Sequence, residues 1–206
     1  MEADSPDASH CRGARAGVSH VENEMHRVGL FMLAFAITAC GGDDKGDDQT
    51  PPQGREAVEE WLAAGMFKAW AAEPAIHESR TPSPHGYNRI WSNDLIASNA
   101  GGSGAWPEGA AAVKELYASL TDPTPIGVAV YLKLKSASAD GANWYWYERV
   151  PADHPAPHDA NGVVADGTGG SGPALQICVG CHNAAGADAA HTPSAGGRDQ
   201  VYTPVR

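Results

Sequence analysis

Basic residues are scarce in this chain: 14 Lys and Arg stand against 25 Asp and Glu in 206 residues, a formal charge of -11. No run of Lys or Arg forms a stripe that could release counterions from a phosphate backbone, so nucleic acid is not an expected partner. Long apolar runs are also missing. Val28 to Thr38 falls well short of the about 20 residues that a bilayer-spanning helix requires. Beyond residue 39 there is one methionine, Met66, and one phenylalanine, Phe67, and no internal repeat is visible. The hydrophobic share of 42%, with 24 Gly and 15 Pro, is not the apolar-poor composition of a disordered protein. One loop-rich globular domain is expected.

The short apolar run has the layout of an export signal. Met25-His26-Arg27 supplies a basic start, Val28 to Thr38 an apolar centre, and small residues lead to Cys40. Ile37-Thr38-Ala39-Cys40 resembles the lipobox of bacterial lipoproteins, in which the cysteine becomes the lipidated first residue. Cys40 is therefore expected to anchor the protein on the periplasmic face of a bacterial membrane. Gly41 is unlike an Asp-based inner-membrane retention signal, which favours the outer membrane. Residues 1–24 carry Glu2, Asp4, Asp7, Glu22 and Glu24, unsuited to a signal's start, and read as an extension ahead of Met25. A buried core helix is the competing reading of residues 28–39. The expected organisation is a signal region over 1–39, the lipidated Cys40 with a flexible acidic tether to residue 54, and a single domain over 55–206.

Within that domain, Val58, Trp61, Leu62, Met66, Ala69 and Trp70 recur at helical spacing, with acids in the first turns. The spacing predicts a helix from Arg55 to about Ala72, stopped by Pro74, whose aromatic stripe faces the core. Further on, Val128, Val130, Leu132 and Leu134 alternate with less apolar residues. With Trp144 to Tyr147 they suggest a hairpin. Arg89 to Ser92 and Ala110 to Tyr117 are candidate strands, although propensity alone would also allow a helix over Ala111 to Leu120. Residues 151–174, rich in Pro and Gly, read as one long loop. The Gly-rich run Asp166 to Gly172 superficially suggests a phosphate cradle, but no Lys-Ser/Thr follows and no helix is expected to open there.

Chemistry is concentrated in Cys178-Val179-Gly180-Cys181-His182, a C-x-x-C-H sequence of the kind that attaches haem c. Two thiols three positions apart can add to the two vinyl groups of a haem, and the following histidine then lies under the iron. Such attachment takes place outside the cytoplasm, where an export signal would deliver the chain. The competing readings are weaker. Zinc held by Cys178, Cys181, His182 and His191 lacks the paired spacing of structural zinc sites, and a redox dithiol belongs at a strand-to-helix start of an α/β pattern. A structural disulfide is the third alternative. The motif lies near the C-terminus with no methionine after it, which rules out the ordinary small helical cytochrome c. The alternating segments do not suit a four-helix bundle. An open sixth position on the iron is expected.

Together these residues resemble the cytochrome P-460 family and its relative, the β-sheet form of cytochrome c prime, over Pro84 to Val205. The resemblance is carried by His85-Gly86 leading to Arg89-Ile90-Trp91 and Asn93; by Trp106-Pro107-Glu108-Gly109 leading to Val113-Lys114-Glu115; by the strand 128–135; by the Trp-Tyr run 144–148; and by the late C-x-x-C-H. It implies an α+β fold, mainly an antiparallel β-sheet with an N-terminal helix and a C-terminal c-haem attachment segment. It implies haem c on Cys178 and Cys181, with His182 as the iron ligand. Nitric oxide, hydroxylamine or carbon monoxide would be the ligand class, with a redox partner protein, and a homodimer is compatible with it.

In the oxidising members a lysine after the Phe/Trp-Pro-Asp/Glu-Gly turn is bonded to the porphyrin edge, and Lys114 resembles it. A solvated surface lysine is the alternative. The gas-binding relatives crowd the distal face with phenylalanines, so here Trp91, Trp144 or Tyr147 would have to serve. The stretch Asn183 to Gly197 is longer than the family's link before Arg198-Asp199-Gln200-Val201-Tyr202, and no distal acid is assigned. His77, His85, His154 and His158 read as exposed loop histidines. Two functions remain open: a cytochrome that binds small ligands or carries single electrons, and an enzyme oxidising hydroxylamine or nitric oxide. A lipid-anchored protein without cofactor is the third.

Overall fold

A computed structural model of the chain describes residues 49–80, 83–187 and 196–202, all within the compact unit Asp43–Arg206. The signal run, Cys40, the acidic stretch through Asp48 and His191 lie outside the described residues.

The architecture is α+β and mainly antiparallel β-sheet. The strands are β1 (Ala71–Ala72), β2 (His77–Glu78), β3 (Tyr87–Ser92), β4 (Ala111–Tyr117), β5 (Pro125–Lys133), β6 (Trp144–Arg149) and β7 (Val163–Thr168). Strands β3 to β7 run in sequence order, and β1 and β2 both pair with the outer edge of β3. Because direct partners in an antiparallel ladder share a face, the registers define what each side presents. One row across the sheet is Trp91, Val113, Val130 and Tyr147; the next is Ile90, Lys114, Ala129, Glu148 and Ala165, on the opposite face.

The first face is covered by helix α1 (Arg55–Ala63) and the single turn Met66–Ala69, which bury Val58, Trp61, Phe67 and Trp70 against Val113, Val130 and Leu132. The helix ends earlier than its periodicity predicts. Gly65 takes a left-handed conformation, φ 69°, and Ala71–Ala72 is recruited as β1. The aromatic stripe nevertheless packs on the core. Helix α2 (Asp94–Asn99), not foreseen, is opened by the Asn93 side chain accepting the Ile96 N–H.

The second face meets the segment that carries the cysteines. It winds as a π-helix over Ala174–Val179, continues as Gly180–His182, and buries Ala174, Cys178 and Val179 against Trp144 and Trp146. A two-stranded hairpin, β8 (Gly197–Arg198) with β9 (Val201–Tyr202), follows.

Three expectations change. Residues 151–174 are not one loop, since β7 lies within them; its Asp166 accepts hydrogen bonds from the Tyr145 hydroxyl and the Arg55 N–H, which makes an acid tolerable in an edge strand. A helix does open just after the Gly-rich run, at Ala174. The tether is docked at its end: Gln49 bonds Asn93 and Asp94, Pro51 is buried, and the Gly54 N–H donates to the Tyr145 hydroxyl.

Candidate functional site

The cysteine segment reaches the sheet closely because two glycines make room for it. A Cβ at Gly169 would lie 2.2 Å from the Gly141 carbonyl oxygen and 2.6 Å from Val179 Cγ2, and one at Gly141 would lie 2.7 Å from Val179 Cγ1. Val179 sits in this notch, and Cys178 before it and Cys181 two positions after it line the edge of a slot. Both thiols are free, Cys178 buried and Cys181 half-buried. Burial pushes the Cys178 thiol up to about 12, so it is a neutral S–H.

His182 is buried, and its Nδ1 lies 2.7 Å from the carbonyl oxygen of Gln200. A carbonyl can only accept, so Nδ1 carries the hydrogen and Nε2 keeps its lone pair. Burial, and secondarily the nearby Lys114 charge, push this imidazole down to about 3 and keep it neutral. Trp146, Tyr202 and Tyr131 pack around the ring at centroid distances of 4.7, 5.5 and 6.2 Å.

Between this segment and the second sheet face lies a narrow, partly open slot with a cavity volume of about 40 Å³. Its walls are largely apolar, with Ala129, Tyr131, Val164 and Ile177 among them, and they also carry one polar cluster. Lys114 and Glu148 stand on either side of Ala129 in the same cross-strand row, so both side chains rise past a methyl group into the slot. His85 bridges them. Lys114 Nζ is 3.0 Å from His85 Nδ1, and His85 Nε2 is 3.3 Å from Glu148 Oε1. The ammonium donates to Nδ1, and Nε2–H is aimed at the carboxylate.

Burial and the Lys114 charge lower the His85 pKa. Burial lowers that of Lys114, with Glu148 opposing. Burial alone would raise Glu148, but the His85 hydrogen bond and charge, with Lys114, take it below the usual carboxylate range. The cluster is a continuous donor–acceptor line along which one proton can move from amine to carboxylate.

No family model, curated protein or solved structure matches this chain. The site therefore rests on its own geometry. Cys178, Cys181, His182 and Lys114, separated by up to 68 positions in sequence, all line the one slot. Lys114 is on a strand, half-buried, and lines the slot rather than standing on a fully solvated surface. Ala112 and Leu116 share its face.

His85 departs from its reading as an exposed loop residue, and Glu148 is an acid that sequence reasoning did not assign. Glu148 carried a usable signal, since Trp144, Trp146 and Glu148 alternate along β6 and so share a face. His85 carried none. Trp91 and Tyr147 do not serve the slot with their rings: Trp91 packs on Phe67, and the Tyr147 hydroxyl bonds Glu59 on the opposite face. Trp144 is on the slot side but buried behind Tyr131, and Tyr131 and Trp146 are the aromatic lining. His77 pairs with Glu73, His154 accepts the Ala156 N–H, and His158 bonds the Asp159 carbonyl; none of the three lines the slot.

Proposed function

We propose that this chain is an exported mono-haem c-type cytochrome of the P-460 kind. Thioethers from Cys178 and Cys181 would hold haem c, and His182 Nε2 would ligate the iron. The carrying observation is the His182 ring: its Nδ1–H is committed to the Gln200 carbonyl, which leaves Nε2 as a metal-binding lone pair in a slot lined by two free thiols. The donor set suits a haem. A porphyrin brings four nitrogens to its iron and needs only one imidazole from the chain.

When bound, the haem supplies an iron that takes a small ligand and passes single electrons to a redox partner protein. The chain's own residues do the rest. Tyr131 and Trp146 exclude water, and Lys114, His85 and Glu148 offer hydrogen bonds and a proton path to a polar ligand such as nitric oxide or hydroxylamine. The test is an absorption spectrum of protein matured with haem c, before and after carbon monoxide or nitric oxide. A c-type spectrum that shifts on ligand addition is expected; a spectrum that ignores both gases rejects the open site.

The placement of Lys114 favours a second reading, a hydroxylamine- or nitric-oxide-oxidising enzyme with a lysine–porphyrin bond. A half-buried lysine facing apolar walls is disfavoured as an ammonium, and passing a proton through His85 to Glu148 would free its amine. Exchanging a ring C–H and the amine N–H for a C–N bond releases two protons and two electrons, which an oxidant of the peroxide class would take up to give water. Peptide mapping by mass separates the readings: one haem peptide containing both Lys114 and Cys178 supports the bond, and a free Lys114 peptide in full yield rejects it.

A further inference from the structure

The hairpin turn behind His182 is more heavily built than a surface turn requires. Asp199 and Gln200, between β8 and β9, both have left-handed backbones, φ 43° and 73°, and both are fully buried. Such a conformation is strained for a non-glycine residue. Two sets of contacts hold it. Asp199 Oδ2 lies 2.6 Å from Lys133 Nζ and accepts the Trp106 backbone N–H at 3.1 Å. Lys133 comes from the end of β5, its side chain is wholly buried, and its ammonium sits 4.8 Å over the Trp144 ring.

Gln200 is tied on the other side. Its N–H donates to Gly186, and its amide Nε2 donates to Asn183 Oδ1 and the Ala187 carbonyl, all just beyond His182 in the chain. The carbonyl that remains accepts His182 Nδ1–H. A buried ion pair adds little net stability over apolar residues of the same volume, so its value lies in fixing one arrangement.

We propose that Lys133, Asp199 and Gln200 are positioning residues for His182: the ion pair pins the left-handed turn to the sheet, and the turn presents the Gln200 carbonyl to Nδ1–H, locking one tautomer with Nε2 turned to the slot. This holds for the chain with or without cofactor. Where the haem reading applies, the same contact makes the imidazole a stronger donor and favours the ferric state.

Two full-length variants test it. Gln200→Gly keeps the left-handed backbone at no steric cost but loses the amide tethers, and Lys133→Met with Asp199→Asn removes both buried charges together. Long-range proton–nitrogen spectra of haem-free protein should show His182 as a single Nδ1–H tautomer in the wild type and as a mixture in both variants. The holoprotein's reduction potential should shift upward in both. A single tautomer and an unchanged potential in Gln200→Gly overturn the inference, whether or not the double variant folds. A locked tautomer in a chain that takes no covalent haem sinks the haem reading and upholds this one; covalent haem beside a mixed tautomer in the wild type does the reverse.

Discussion

At the scale of single residues, the unusual decision of this chain is to line up a half-buried lysine and histidine with a buried glutamate in one slot. Each is tolerable because of the next. Glu148→Gln would take from the Lys114 ammonium the nearest opposing charge, leaving His85 and the more distant Glu73, and a loss of about 1–3 kcal/mol is expected in chemical denaturation. Lys114→Met in the same background should recover most of it, because the charge that needed Glu148 is gone. Additive losses in that double-mutant cycle would show that the two side chains do not depend on each other. The residue scale is also where the sequence was hardest to read. Cys178, Cys181 and His182 announce themselves by spacing, and Lys114 through a resemblance, but His85 reaches the slot only because Pro84 to Gly86 leads into β3 beside β4. No local pattern encodes that approach.

At the scale of elements, local pattern and tertiary context divide the work. The β5–β6 hairpin is legible because period-two alternation places Tyr131, Trp144 and Trp146 on one face and Val130 and Tyr147 on the other. Strand β4 is buried on both faces, so its composition reads equally as helix. The turn at Pro107 to Gly109, with the Ala110 N–H donating to Pro107, and the long pairing with β3 and β5 decide for strand. Strand β7 is hidden by Asp166 and Gly167, whose roles are long-range.

Glycine acts at this scale through close approach. Gly169→Ala would press a methyl group to 2.2 Å from the Gly141 carbonyl and against Val179, lifting the cysteine segment from the sheet. A destabilisation of about 1–3 kcal/mol or more is expected, with lower haem attachment. Wild-type melting and full haem content in that variant would show that the notch is not what seats the segment.

At the scale of the whole molecule, two properties follow from charge and anchoring. His85 takes up a proton near pH 6.5 in the unfolded chain but only at lower pH when folded, because burial and Lys114 disfavour its charge; Glu148 opposes them, and the more distant His154 works in the same direction as Lys114. The stability of the neutral form is thus complete above about pH 6.5 and is lost as pH falls through the folded value, at up to about 1.4 kcal/mol per pH unit. Below the ordinary carboxylate range near 4.5, protonating Glu148, whose folded pKa is lowered, removes a further contribution. Denaturation curves of haem-free protein from pH 8 to pH 4 should show this slope, to which His182, held neutral down to about 3, adds in the same direction, and His85→Gln should make it shallower without removing it. A wild-type curve flat from 6.5 to 5 would contradict it. The proposed export gives the other prediction: Cys40→Ser should release the protein from membranes, since an acidic tether has no affinity for an anionic bilayer, and unchanged fractionation would refute the lipid anchor.

The central claim is that Cys178 and Cys181 carry a haem, and thioether bonds survive conditions that strip a haem held without covalent bonds. Haem staining after denaturing electrophoresis, on protein produced with the haem c maturation machinery, therefore tests it most directly. A stained band at the chain's own mass is predicted for the wild type and for His182→Ala at reduced intensity, and none for Cys178→Ala with Cys181→Ala. An unstained wild type, or a double variant that stains like it, would contradict the account.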